Sequence, residues 1–452
     1  MAMNWSYQET VSYLYGLQKQ GIKLSLTNSS TLMDMMGNPH HKFLSVHVAG
    51  TNGKGSTAVF IASVLQAAGY RVGLYTSPHL VDFTERIRVN NIPIPSMAVV
   101  RLAQLVHERY CAIKLASSTE SINPTFFEVT TAIAFVYFVE EKIDIGVIEV
   151  GMGGRLDSTN VITPLVSVIT NIDLEHQKFL GNTIEEIALE KAGIIKSGIP
   201  VVTGVLQPEV INVIEREAAA QGAAVYRLWR DFMPEDIAPG HERTFTYHGC
   251  ANSYNYLQIA MLGMHQIDNA CLAIATIERL RTAGLNVNDE ALRSGLEHAY
   301  WEGRMERIAT YPDIYLDGAH NLAAARKLAT TVKGIKYEYR QIILIIGILD
   351  DKNYSGMASE LVPLADHVVV TQPQYCRAIN FHDLEKEIKR HHTSVVSAET
   401  VEIALRKAKM MASRDDLILV TGSLYVVGEA RALFHPCMPE TGRSSELSGL
   451  KG

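Results

Sequence analysis

A chain of 452 residues is too long for one ordinary hydrophobic core, and about two to three domains are expected. Apolar residues make up 47% and charged residues 20%, the balance of a globular protein; a net charge of −7 without a long Lys or Arg run speaks against a nucleic-acid or membrane-surface partner and for small-molecule ligands. Five scattered cysteines (Cys111, Cys250, Cys271, Cys376, Cys437) form no C-x-x-C pair, residues 1–20 lack the order of a signal peptide, and no apolar run approaches the roughly 18 residues that cross a bilayer, so a reduced, cytoplasmic protein is expected. A monomer is the expected state, which these features do not decide.

Residues 7–18 carry apolar side chains at helical spacing, and 29–36 read as a second helix ended by Gly37-Asn38-Pro39. Val46-His47-Val48-Ala49 then reads as a short apolar strand, Gly50-Thr51-Asn52-Gly53-Lys54-Gly55-Ser56 as a glycine-dense turn, and 58–68 as a helix suited to packing on a sheet. That order makes a phosphate-binding loop: glycines let backbone N–H groups approach an anion, the helix N-terminus adds a favourable dipole, Lys54 neutralises nucleotide phosphates and Ser56 offers a hydroxyl to Mg2+. It departs from the common G-x-x-x-x-G-K-[ST] form, because Val48 occupies the first glycine position and Gly55 separates Lys54 from Ser56.

Residues 71–76 read as a strand leading into a polar loop over 77–86, a natural place for substrate contacts. A long apolar helix over 125–140 carries one conspicuous charge, Glu128, and 143–150 reads as a buried parallel strand. A second glycine loop fills 151–160, followed by strands over 165–170 and 200–205 and helices over 184–195 and 213–222. Residues 229–256 look like an antiparallel excursion, and 266–283 and 288–299 like helices. Strand candidates at 314–316, 341–346, 367–371, 394–396 and 417–421, alternating with helices such as 323–333 and 400–412, form a second α/β unit. The expected fold is a parallel-sheet P-loop-type ATPase domain over 1–302, a smaller Rossmann-like α/β domain over 303–437 with the joint near 300–308, and a disordered tail over 438–452.

Taken alone, most candidate residues admit an ordinary reading. Glu128 is either a cation ligand or a partly solvated helix residue, since an unpaired carboxylate inside an apolar helix is costly. His176 follows a buried strand at the end where ligand sites of open α/β sheets collect, yet it could be a hydrogen-bonded loop histidine. Lys191 has the default of a solvated charge, and Asp317-Gly318-Ala319-His320-Asn321 that of a turn with a helix cap. Gly151 and Gly153 begin a G-x-G-x-x-G pattern, but Leu156 stands at its last glycine, which discounts a nicotinamide enzyme.

Together with Thr76-Ser77-Pro78-His79, Phe83-Thr84-Glu85-Arg86-Ile87, Glu149-Val150-Gly151-Met152-Gly153-Gly154-Arg155-Leu156-Asp157-Ser158-Thr159-Asn160, Glu190-Lys191-Ala192-Gly193-Ile194, Gly303-Arg304, Asp317-Gly318-Ala319-His320-Asn321 and Thr421-Gly422-Ser423-Leu424-Tyr425, the phosphate loop makes an ordered set. On that set the chain resembles the folylpolyglutamate synthase family of Mur ligase relatives, which includes bifunctional dihydrofolate synthases. The resemblance implies an ADP-forming acid–amino-acid ligase that uses ATP and two Mg2+ ions. It implies Gly50 to Ser56, Asn269, Arg304 and Asp317 around the nucleotide, and Ser56, Ser77, Glu128 and His176 as metal ligands. Lys54, Lys191, Arg304 and His320 would be catalytic, with Lys191 matching a lysine that is carbamoylated in relatives. Ser77, Pro78, His320 and Ser423 would face folate or dihydropteroate and L-glutamate.

The resemblance also implies an acyl phosphate intermediate, and closure of two domains to keep water from it. Two departures stand out. Glu175 replaces the aspartate usual before the metal histidine, and Lys23-Leu24-Ser25-Leu26-Thr27-Asn28-Ser29 lacks the arginine of a pterin-associated element found in bifunctional relatives. A dihydrofolate synthase, another Mur-type ligase and a non-catalytic nucleotide-binding regulator are the alternatives.

Overall fold

The computed structural model of the chain describes residues 5–21, 25–116, 123–237 and 243–435. The expected tail, Cys437, Lys23 and Leu24 lie outside the described residues. Two α/β units are present: the first lies within Met1–Asp236, Phe245–Ile259 and Ile267–Ala299, the second within Ile237–Thr244, Ala260–Gln266 and Tyr300–Gly452.

The first unit is organised by an eight-stranded sheet. Its strands are β1 (Leu44–Ala49), β2 (Val72–Tyr75), β3 (Ile87–Val89), β4 (Ile92–Pro93), β5 (Ile145–Glu149), β6 (Val166–Ile169), β7 (Val201–Thr203) and β8 (Val225–Arg227), in the order β4-β3-β2-β5-β1-β6-β7-β8. From β2 to β8 all neighbours are parallel, with β1 between β5 and β6. Strands buried on both faces are rich in apolar residues, and β1, β5 and β6 are buried along nearly their whole length, with Ser45, His47, Glu149 and Ser167 as their polar members. Helices Lys54–Ala67 and Phe126–Glu140 are almost entirely buried, so each reads as apolar on every side. A small antiparallel sheet of β9 (Met233–Glu235), β10 (Thr244–His248) and β11 (Ser253–Gln258) forms the excursion expected over 229–256.

Two elements of this unit depart from the sequence reading. The polar loop after β2 ends in a short 3-10 turn, Phe83–Arg86, and an antiparallel hairpin, β3–β4, caps the sheet edge. A helix over Ser96–Ala116, passed over in sequence, contributes Val99, Leu102 and Val106 to the core that also holds Phe135 and Phe138.

The second unit is a six-stranded sheet of β12 (Glu306–Ala309), β13 (Asp313–Leu316), β14 (Ile342–Ile346), β15 (His367–Val370), β16 (Val395–Ser397) and β17 (Leu417–Thr421), ordered β12-β13-β17-β14-β15-β16. Only β12 is antiparallel; its polar, bulged sequence carries no period-2 signal, which is why it was not legible. Leu262 packs into this unit's core with Leu328, Leu344 and Val368, which accounts for the mid-chain stretch Ala260–Gln266 belonging here. Among the described residues no helix is long and apolar enough to cross a membrane.

Candidate active site

The phosphate loop leaves β1 at Gly50 and enters the helix Lys54–Ala67 at Gly53. Both glycines are demanded by geometry. Gly50 has φ +148° and a Cβ there would overlap the Thr170 hydroxyl, while Gly53 has φ +83° and a Cβ would lie 2.5 Å from Asn269 Oδ1. Asn269 therefore touches the turn, from the helix Met264–Thr282.

The turn is held by the segment leaving β6. Thr51 N–H donates to the Asn171 carbonyl at 2.8 Å, Asn52 N–H to Asn171 Oδ1 at 2.8 Å, and the Thr170 hydroxyl to the Asn52 carbonyl at 2.7 Å. Asp173 N–H donates to the Thr51 hydroxyl at 3.0 Å. A loop fixed this way meets an anion without first having to order itself. Lys54 Nζ donates to the Thr51 carbonyl at 3.2 Å, Gly55 lies in the first helical turn, and Ser56 is buried behind it. Sequence reasoning missed Thr170 and Asn171, whose part in bracing the loop depends on the neighbouring strand.

Lys191 is the least ordinary side chain of the unit. It sits in the last turn of the helix Ile184–Ala192, is 4% exposed, and donates from Nζ to the Gly50 carbonyl at 2.8 Å. Burial, and then the neighbouring Lys54, push its amine down to about 7 against the opposing pull of Glu175 and Asp157. The solvated-charge reading is thus replaced by a buried amine tied to the phosphate loop. The second glycine loop serves this packing. A Cβ on Gly154 would lie 2.8 Å from the Glu190 carbonyl and 2.9 Å from that of Lys191, so the loop lies directly on the Lys191 turn. Asp157, whose carboxyl burial pushes up, fastens that loop by accepting from Met152 N–H at 2.9 Å and Thr159 N–H at 3.0 Å.

Glu128, expected as a metal ligand, and Glu149 are both buried carboxylates. Glu128 closes a capping box: its Oε2 accepts from Thr125 N–H at 2.6 Å and from Asn28 Nδ2 at 3.3 Å. Its conspicuous charge thus has a structural explanation. Glu149, absent from the sequence-derived ligand set, ends β5 opposite Val48 of β1, next to the phosphate loop, and its Oε2 accepts from Ser77 N–H at 3.0 Å. Ser77 and Glu149 are therefore brought together directly; Pro78 follows through a cis peptide bond, and its side chain is exposed. His176 is exposed, in the left-handed region at φ +52°, at the N-cap of the helix Gln177–Leu180. The side chains of Ser56, Ser77 and Glu149 offer hydroxyl and carboxylate oxygens, hard donors of the kind Mg2+ accepts.

The other expected residues belong to the second unit, at the C-terminal ends of its parallel strands. Asp317 follows β13, is 6% exposed, and accepts from Met305 N–H and Ala319 N–H, both at 3.0 Å. Burial pushes its carboxyl up, and the Arg304 guanidinium opposes this. Arg304 Nη1 donates to the Gly303 carbonyl at 3.0 Å, and His320 Nδ1 lies 2.8 Å from the Gly318 carbonyl. Ser423 follows β17 and caps the helix Leu424–Phe434, its hydroxyl accepting from Val426 N–H at 3.1 Å.

A braced phosphate loop at the centre of one parallel sheet, followed by a second α/β unit with charged strand ends, is the plan of a Mur-type ligase. Residues 48–277 match the Mur ligase middle domain and residues 303–424 the Mur ligase glutamate ligase domain. The chain is 40% identical over 433 residues to the dihydrofolate synthase/folylpolyglutamate synthase of Bacillus subtilis, covering 94% of this chain and 98% of that protein. It is 37% identical to the folylpolyglutamate synthase of Lacticaseibacillus casei, with the same coverage. A solved structure of Mycobacterium tuberculosis folylpolyglutamate synthase complexed with ADP and AMPPCP superposes with a TM-score of 0.86 at 33% identity, over 95% of this chain and 99% of that one. The chain belongs to the folylpolyglutamate synthase/dihydrofolate synthase family and is an ATP-dependent ligase.

Proposed function

We propose that this ligase joins L-glutamate to the γ-carboxylate of a reduced folate in the cytoplasm, as a monomer, with ATP as phosphoryl donor. The observation that carries the reading is the phosphate loop, braced by Asn171 and tied to buried Lys191, in a chain of this family. A carboxylate is a poor acyl donor because its oxygen is a poor leaving group. Transfer of the γ-phosphoryl group to a folate carboxylate oxygen gives ADP and an acyl phosphate. The glutamate nitrogen then attacks the carbonyl carbon, the C–O bond to phosphate breaks, and the nitrogen loses a proton.

In this reading the region 1–302 binds nucleotide and folate, and 303–437 carries the glutamate-ligase function. Gly50 to Ser56 and Asn269 hold the nucleotide, and Lys54 offsets charge on the transferred phosphoryl group. Asp317 buttresses the chain next to Arg304, which acts on the same charge, while His320 and Ser423 face the amino acid. Ser77 and Pro78 contribute to the folate side. Mg2+ held by Ser56, Ser77, His176 and a carboxylate would neutralise phosphate oxygens, and Glu149 suits that carboxylate better than Glu128. Glu149→Gln is accordingly expected to raise the Mg2+ concentration for half-maximal activity by about tenfold or more, and Glu128→Gln far less. A Mg2+ titration at fixed ATP with the opposite ranking would return the role to Glu128.

The reading is tested by phosphate release from Mg-ATP and L-glutamate with tetrahydrofolate or dihydropteroate as acceptor. Release with tetrahydrofolate that requires L-glutamate is the expected result; release with neither acceptor would overturn it. The double name of the Bacillus subtilis relative favours dihydropteroate as a second acceptor. Release with both would establish that bifunctional reading.

A further inference from the structure

Glu306 is a buried carboxylate that the mechanism above does not use. It opens β12, the antiparallel edge strand of the second unit, paired with Leu316 of β13. Its side chain is 1% exposed and three donors converge on it. Oε2 accepts from Gly303 N–H at 2.8 Å; Oε1 accepts from the Tyr300 hydroxyl and from Arg431 Nε at 3.1 Å. Burial and the adjoining Glu306 carboxylate push the Tyr300 phenol up, so it remains a donor.

These bonds surround Arg304. The two residues flanking it, Gly303 at φ +67° and Met305 at φ +44°, are both in the left-handed region, and for methionine that conformation persists only where neighbours enforce it. On one side Gly303 is fastened by Glu306, and its carbonyl accepts from Gly318 N–H at 2.8 Å. On the other, Met305 N–H is held by Asp317 at 3.0 Å. The third donor reaches further: Arg431 lies in the last turn of the helix that Ser423 caps.

We propose that Glu306 is a positioning residue for phosphoryl transfer, its carboxylate joining the turn that presents Arg304 to the helix that begins at Ser423. It touches no reactant and acts through Arg304, so the proposal rests on the role given to Arg304 above. A purely structural ion pair is the competing account, and buried pairs are weak evidence for stability. The two accounts differ in what they change: a positioning residue alters kcat through Arg304, a structural one alters only the melting temperature.

In Glu306→Gln an amide NH2 replaces one acceptor oxygen, so either Gly303 or the Tyr300–Arg431 pair faces a donor. The expected result is a kcat lowered roughly 30- to 100-fold, with KM for ATP within about twofold of the parent because the phosphate loop is untouched. Tyr300→Phe removes a single donor, keeps the charge, and is expected to lower kcat several-fold in the same pattern; it serves if Glu306→Gln does not fold. In an Arg304→Lys background, where the planar fork is already gone, the Glu306→Gln or Tyr300→Phe loss shrinks to about twofold. Normal kcat in both carboxylate-side variants, or losses that multiply fully in the Arg304→Lys background, would overturn the positioning role. Arg304→Ala separates the two failures: near-normal turnover there would overturn the reading of Arg304 itself.

Discussion

Lys54→Ala is expected to cut ADP-forming turnover by about a thousandfold or more while leaving the fold intact. Lys54 sits at the first position of the helix Lys54–Ala67, and its amine donates to the Thr51 carbonyl within its own turn. Alanine is a good helix former there, so the melting temperature should change little. The chemistry has no such substitute. Charge on the transferred phosphoryl group grows toward the transition state, and a fixed ammonium acts most strongly where charge develops. Nucleotide affinity should fall much less, because the backbone N–H groups and the helix N-terminus remain. Equilibrium binding of ADP alongside single-turnover phosphate release separates the two effects. Near-normal release would remove Lys54 from the chemistry, and a lost melting transition would assign it to structure instead.

The loop was legible because its signal is local: strand, glycines, lysine and helix lie close together in sequence, and the apolar run over 143–150, bounded by a glycine loop, read as a buried parallel strand. What sequence could not convey was which side chains meet across the sheet. Lys191 looks like a surface lysine beside Glu190, yet it is buried because Gly154 lets the second glycine loop lie against its helical turn. Glu128 stood out by contrast with its apolar neighbours, and the structure adds that it caps its own helix with Thr125. Glu149 was legible only as the first residue of a family motif and carried no role of its own, because its contact with Ser77 comes from pairing register, which sets it opposite Val48. Glu306 lies in an edge strand too short and polar to show a period. Local pattern assigns no role to His176, Arg304, His320 and Ser423, whose own surroundings in sequence are unremarkable; the roles expected of them come from the resemblance alone.

Lys191→Ala is expected to lose roughly a hundredfold or more in turnover and to regain part of it with short carboxylates such as acetate. Carbamoylation joins the neutral amine to carbon dioxide, forming an N–C bond and releasing a proton, which replaces a neutral group beside Lys54 with an anion. An amine pushed down to about 7 is largely neutral at pH 8, so the reaction is open there and closes as pH falls through about 7. Activity of the parent enzyme should therefore drop in carbon-dioxide-free buffer, most of all near pH 6.5, and return with bicarbonate at pH 8. Stability carries the same signature with a defined sign. Between about 7 and the ordinary lysine value of 10.5 the unfolded chain binds a proton that the folded, unmodified chain does not, so folding stability rises with pH across that window. Lys191→Met keeps most of the buried volume and should flatten that slope. Rescue by carboxylates together with a flattened slope would assign Lys191 both a modified and a titrating state. An unaffected Lys191→Ala enzyme would leave the buried amine a structural tie to Gly50, and loss of activity without rescue or bicarbonate dependence would mean that the amine itself, rather than a carbamate, supports the loop.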